Sequence, residues 1–361
     1  MRRISPKCAR PGMVLGYPVY DNYGTKLLHA HTKLDEDCLK VLLDNVVTEI
    51  FVEDSRVADI PVAPLISPEL EGRAARALRR LHTENSGRMN ISDKHVYDIS
   101  TAANAMAEEL TLTSVGEVTV ASIAAQEDYI YVQPVKTALI SMALGQALGY
   151  RMSDLANLGM ASLFKDIGYI IIPQEILQKP DSLTDEELSK LKQHPKYSYN
   201  LLRQHSSCGG EIATSVLQHH EQWNGSGYPL GLKGTSISRF AQIISIADKY
   251  TALLSKRPGN KKVYMPHDAI EYIMAYSGEY FSPELVELFV RRVACYCSGL
   301  TVKLNTGEIG IVSDAKLGFV GRPVVRICID ADAVPVKKPY DIDLSKADFQ
   351  RKLIVEILDY D

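Results

Sequence analysis

The period of apolar and polar positions changes along the chain, and each change predicts a different kind of element. Residues 10–53 alternate short β-rich runs with turn signals. "MVLGYPVYDNYGTKLL" holds two such runs around "DNYG", which predicts a hairpin. "KLDEDCLKVLLDN" predicts a short amphipathic helix and "VVTEIFVED" another strand. The prolines of "DIPVAPLISPE" mark a linker, after which "PELEGRAARALRRLH" opens a helix of mixed charge. "NSGRMNIS" interrupts it, with Ser92 placed to cap the helix "DKHVYDISTAANAMAEEL".

From about residue 115 to 295 the pattern is helical almost throughout. "VQPVKTALISMALGQALG" is apolar on nearly all sides, which predicts full burial. "TDEE" at 184–187 is a capping box. Pro195 suits the first turn of a helix, where its missing N–H costs little. "GEIATSVLQHHEQ" is a helix ended by the turn-rich "NGSGYP", and "SRFAQIISIADKYTALLS" is another apolar helix. After Gly299 the period shortens, so that "LTVKLNTGEIGIVSDAK" and "RPVVRICID" read as strands around an "NTGE" turn. The expected division is a small β-rich N-terminal domain (1–60), a helical linker (61–114), a helical domain (115–298) and a small β-rich C-terminal unit (299–361).

The totals narrow the class. A chain of 361 residues argues for about two or three domains. With 46% hydrophobic and 23% charged residues it reads as a soluble globular protein, and no apolar run is long enough for a membrane helix. The N-terminus has no long apolar segment, so a secretory signal is not expected and a cytoplasmic location is. A net charge of −4 gives no footprint for a nucleic acid polymer. Six cysteines lack paired CxxC spacing and are expected to be reduced thiols, including the isolated pair Cys295 and Cys297.

Candidate chemistry sits in the helical segment. "LFKDIG" at 163–168 puts Asp166 in an otherwise apolar run, where an unpartnered carboxylate would be costly. Asp248 in "ISIADKY" has Ile244 and Ala252 one turn away on the same face, so it too points where apolar groups point. His194 opens a helix, and His219 and His220 are adjacent near the end of another. Two buried carboxylates and three histidines in one segment suggest a site for a transition metal such as Fe, Mn or Zn. His29, His31, His82, His95, His205 and His267 are read as core or surface residues without a metal role.

"HHEQWNGSGYPLGLKG" at 219–234 closely resembles the signature of the HD-GYP family, helical HD-superfamily phosphohydrolases that cleave the bacterial second messenger cyclic di-GMP. The similarity runs from about Asp128 to Pro283 and takes in "DIG", "IPQEILQKPDSLTDEE", "HP", "GYP" and "IADKY". The resemblance implies a mostly α protein: an HD-superfamily helical bundle flanked by small N-terminal and C-terminal β-rich units. It implies that Asp166, His194, His219, His220 and Asp248 are metal ligands. It further implies that Gly227, Tyr228, Pro229 and Arg257 lie on the substrate side.

Three family ligand positions are changed. The first-helix histidine falls on Gln133, the glutamate before it falls near Tyr129, and the histidine of the HD pair is Lys165. In the family the HD aspartate bridges two metals. One metal uses the first-helix histidine, the HD histidine and the "IAD" aspartate; the other uses the "HP" histidine and the His-His pair. Here the second set is complete and the first keeps only carboxylates, so at most one tightly held ion is expected. A lysine ammonium has no lone pair to give a metal. Lys165 is expected either to neutralise Asp248 or Asp166 with Asp248 the better placed, since helix neighbours do not face each other, or to point to solvent. On the substrate side, the lysine that usually follows "DIG" is Tyr169, and Asn224, Gln242 and Thr251 also depart from the family pattern.

Two functions follow as expectations. One is a catalytically impaired HD-GYP domain that acts by binding a nucleotide or a signalling protein. The other is a working cyclic di-GMP phosphodiesterase with a mononuclear or atypical metal site. A homodimer is compatible with either.

Overall fold

The computed structural model describes residues 1–21, 25–45, 47, 49–112, 129–179, 182–255 and 262–358. Its chain packs into two units, Met1–Gly72 with Arg291–Asp361, and Arg73–Val290.

The first unit begins with β1 (Arg2–Ile4), β2 (Val19–Tyr20), β3 (Lys26–Leu28), α1 (Glu36–Asp44) and β4 (Ile50–Val52). β2 and β3 form the antiparallel pair expected around "DNYG", whose residues 22–24 lie outside the described set. The Asp35 side chain caps α1 by accepting from the Cys38 N–H. The C-terminal part adds β5 (Thr301–Leu304), β6 (Ile309–Asp314), β7 (Val324–Ile329), β8 (Pro335–Asp343) and β9 (Ile354–Ile357) in an antiparallel sheet of order β8-β7-β6-β5-β9.

The two flanks, far apart in sequence, share this unit. Phe51, Val57, Ile60 and Val62 form one apolar cluster with Ile311 and Cys328. The Arg3 guanidinium makes a two-pronged pair with Glu49, at 2.7 and 2.8 Å, and also reaches Cys297 Sγ at 2.9 Å.

The second unit is helical: α2 (Pro68–Asn85, entering from the first unit), α3 (Asp93–Leu112), α4 (Tyr129–Ala147), α5 (Met152–Phe164), the short α6 (Gln174–Leu177), α7 (Asp185–Leu191), α8 (His194–Leu202), α9 (Gly210–Gln218), α10 (Arg239–Leu253), α11 (Pro266–Ala275) and α12 (Pro283–Arg292). α5 packs between α3 and α4, and α10 packs on α4, so α4 is buried along most of its length. The capping box at Thr184 and Glu187 forms as read, and Pro195 lies in the first turn of α8. No described helix is long and apolar enough to cross a membrane.

One constraint fixes where the site can form. α5 stops at Phe164, and a 3-10 turn over Ile167–Ile171 carries the chain under α8. The Gly168 N–H donates to Ser198 Oγ at 2.8 Å, and the Ser198 hydroxyl donates to the Lys165 carbonyl at 2.9 Å. A methyl group on Gly168 would lie 2.2 Å from the His194 carbonyl oxygen and 2.9 Å from the Ser198 nitrogen. Only glycine lets α8 come this close. Gly168→Ala should therefore cost about 1–3 kcal/mol by overpacking. A drop in the urea unfolding midpoint is the expected result, and an unchanged midpoint would show that α8 is free to move away.

Candidate metal centre

Four side chains converge where the "DIG" turn meets the starts and ends of helices. Asp166 follows the last residue of α5 by two, His194 is the first residue of α8, and His219 and His220 directly follow α9. One ligand atom from each of these four lies within 4.8 Å of all the others. Asp166, His194 and His219 are buried.

Hydrogen bonding fixes the tautomers of two of these rings. His194 Nδ1–H donates to the Leu191 carbonyl at 2.7 Å, and His219 Nδ1–H donates to the Val216 carbonyl at 2.7 Å. A backbone acceptor on Nδ1 leaves Nε2 as a bare lone pair, the usual way a protein orients a ligating imidazole. These lone pairs face Asp166 Oδ1 at 3.2 and 3.6 Å. The three atoms are buried with no hydrogen-bond donor. Three buried acceptors aimed at one another repel unless a cation lies among them, and their N and O donor set suits a divalent transition metal. Asp166, His194, His219 and His220 therefore fit the metal ion that the resemblance implies.

The other oxygen of Asp166 is taken. The Lys165 ammonium, 1% exposed, bonds Asp166 Oδ2 and lies 2.7 Å from Asp248 Oδ1. Asp248 Oδ1 also accepts from Gln133 Nε2 at 2.7 Å, and that amide donates to Thr251 Oγ1 at 2.8 Å. Asp248 lies outside the histidine cluster, and its carboxylate is held by Lys165, the partner expected for it, and by Gln133. Lys165 also pairs with its own neighbour: its backbone stays helical, and the long side chain reaches the Asp166 carboxylate. Solvent exposure of Lys165 is excluded. Gln133 contributes its amide nitrogen as a donor.

Burial pushes the Asp166 carboxyl up, but the Lys165 ammonium outweighs it and holds the group well below the ordinary range. Burial also works against a charged Lys165, and the two carboxylates overcome it and raise its pKa. Asp248 is lowered, with Lys165 again offsetting burial. Burial lowers His194, and lowers His220 much further with help from the neighbouring histidines.

The GYP loop braces the cluster. Tyr228 stacks on the His220 ring, with centroids 4.8 Å apart and 27° between planes, and its N–H donates to the His220 carbonyl at 3.2 Å. Gly227 has no room for a side chain, since a Cβ would lie 2.3 Å from the Gln222 nitrogen. Buried Glu221 accepts from the Leu230 and Leu232 N–H groups at 2.6 and 2.9 Å and pins the loop. Pro229 follows Tyr228 at the edge of a shallow depression. Arg257 lies outside the described residues. Sequence reasoning missed Glu221, Ser198 and the donor role of Gln133; the acidic residue directly after His-His was the one available signal. Beside the cluster opens a cavity of about 1300 Å³, walled in part by Tyr129, Tyr131, Tyr169, His194, His220 and Tyr228.

Two outcomes follow. Lys165→Met leaves two buried carboxylates without their cation and should cost about 3–5 kcal/mol in chemical denaturation, whereas a change at exposed Lys196 should cost under about 0.5 kcal/mol. Equal midpoints for the two variants would remove Lys165 from the core of the site. The second outcome concerns pH. Because His194 and His220 are lowered on folding, the unfolded chain binds more protons below its ordinary histidine pKa of about 6.5, so stability falls as pH drops through that value. His220→Asn should flatten part of the fall between about pH 7 and 5 in chelator-treated protein, as read by urea midpoints.

An HD domain family matches residues 117–285, and a KOW domain associated with HD domain matches residues 301–359. The cyclic di-GMP phosphodiesterase PA4108 of Pseudomonas aeruginosa is 31% identical over 222 residues, 61% of this chain and 53% of that protein. The cyclic di-GMP phosphodiesterase response regulator RpfG of Xanthomonas campestris is 36% identical over 149 residues, 41% of this chain and 39% of its own length. The chain thus spans about half the length of these relatives or less. The solved structure of Bd1817, an HDG"Y"P protein from Bdellovibrio bacteriovorus, aligns over 80% of this chain and 97% of its own with a TM-score of 0.48 and 17% identity. The HD-domain match over residues 117–285 and the similarity to these cyclic di-GMP phosphodiesterases support membership of the HD-GYP family for that segment.

Proposed function

We propose that this chain is a cyclic dinucleotide-binding HD-GYP domain of bacterial signalling whose hydrolytic step is impaired, and that it acts by binding a nucleotide such as cyclic di-GMP or a protein partner. The observation that carries the reading is Lys165. Its ammonium bonds both Asp166 and Asp248, and the Gln133 amide bonds Asp248 as well. Two-metal hydrolysis uses ions roughly 3.5–4 Å apart to activate a water and stabilise the leaving oxygen. A lysine keeps a positive charge in such a clamp but has no lone pair with which to hold a second ion.

Asp166, His194, His219 and His220 would hold the remaining ion, of Fe, Mn or Zn type. When bound, that ion supplies a Lewis acid for a phosphoryl oxygen. The protein's own groups do the positioning. The Leu191 and Val216 carbonyls keep the Nε2 lone pairs of His194 and His219 facing inward. Burial keeps the Tyr169 phenol, which packs 4.6 Å from His194, protonated far above its ordinary range, with Asp166 adding to the effect. A second reading, a working phosphodiesterase with one ion, is favoured by the intact set of orphaned lone pairs. The named activities of relatives also support a nucleotide ligand, since one relative in Vibrio cholerae is a 3'3'-cGAMP-specific phosphodiesterase.

Elemental analysis should find at most one tightly bound transition metal per chain, and cyclic di-GMP should be bound with negligible cleavage whichever divalent metal is supplied. Two stoichiometric ions, or metal-dependent turnover, would replace this reading with the second one. Lys165→His with Gln133→His should add a second ion, because both restore an imidazole to a position now filled by a donor. Lys165→His alone should not.

A further inference from the structure

The cavity beside the histidines must hold phosphate groups if it takes a cyclic dinucleotide. Lys165 is spent on Asp166 and Asp248. Among the described lining residues, Lys192 is the one lysine or arginine.

Its placement suits a ligand contact. Lys192 follows α7 at the rim and is exposed. Its Nζ lies 5.5 Å over the Tyr228 ring, within cation–π reach. Tyr228 in turn stacks on His220 of the candidate metal cluster. A continuous stack therefore runs from the ligand imidazole to an ammonium held over the opening. Lys192 and Tyr228 also line the neighbouring depression of about 380 Å³, so the lysine stands between the two hollows. An ammonium on a four-carbon stem can leave the ring face and place its donors on a phosphate oxygen without disturbing the loop.

We propose that Lys192 is the phosphate-holding residue of the cavity, taking a non-bridging oxygen of the dinucleotide bound beside His220. This rests on the ligand class assigned above. It assigns to a residue outside the metal cluster a direct contact with the ligand's phosphate.

The test is calorimetric titration of the full chain with cyclic di-GMP, pyrophosphate and guanosine, comparing wild type with Lys192→Gln, Lys192→Arg and Lys196→Gln. Lys192→Gln should weaken cyclic di-GMP about tenfold, the loss of one charge-assisted hydrogen bond. Lys192→Arg should stay within about threefold of wild type, and Lys196→Gln should match wild type. Guanosine, which carries no phosphate, should bind Lys192→Gln as it binds wild type. Unchanged cyclic di-GMP affinity in Lys192→Gln would overturn the proposal. So would an equal loss for guanosine, which would mark Lys192 as a support for Tyr228. If wild type ignores cyclic di-GMP but binds pyrophosphate in a Lys192-dependent way, the assigned ligand class fails and Lys192 stands. If wild type binds neither anion, both fail.

Discussion

A single buried ammonium holds the centre of this domain together. Lys165, Asp166 and Asp248 are each nearly inaccessible, and any one of them alone would be expensive to bury. Together they fix the end of α5 against α10, and Gln133 extends the network to α4. Asp166 is divided between two tasks. Oδ2 bonds Lys165, while Oδ1 faces the lone pairs of His194 and His219. Any cation in the histidine cluster must therefore share the carboxylate with a lysine that cannot move away without stranding Asp248.

What the sequence made legible was local chemistry. The capping box at Thr184, Pro195 in a first turn and the buried run of α4 each depend on residues within about one or two helical turns, so the pattern carries them. The joining of the flanks was not legible. It rests on Arg3 meeting Cys297, 294 positions away, and on apolar residues near 51–62 packing with Ile311 and Cys328. β8 was hidden for another reason: most of its side chains are exposed, so "PVKKPYDID" has no clean alternation.

The site divides in the same way. Asp166 and the three histidines could be placed from the motif because each belongs to a short stretch of recognisable spacing. For Lys165 both candidate partners were named, Asp248 and Asp166; that one ammonium bonds the two at once was not legible, because it depends on how α5 and α10 meet. Gln133 was weighed as a weak oxygen ligand, but in an environment already holding two carboxylates its amide N–H groups are the useful end.

The GYP loop shows how a motif named for a ligand site can be structural at the same positions. Gly227 is required because the loop lies against the backbone of Glu221 and Gln222, and Glu221 ties the far side of the loop through two N–H groups. The result is a tyrosine face pressed on His220. Changing Tyr228 would therefore alter the orientation of a candidate metal ligand and the wall of the cavity together. Under the proposed function this matters more than in a two-metal enzyme. With Lys165 fixed by two carboxylates, His220 is the member of the cluster whose support comes from a surface loop, so the loop becomes the route by which an occupied cavity or a bound partner would act on the ion. Under the proposed function binding and hydrolysis would separate on physical grounds: a fixed ammonium supplies charge to the centre, but it has no lone pair to hold the second ion on which two-metal activation of a nucleophile depends.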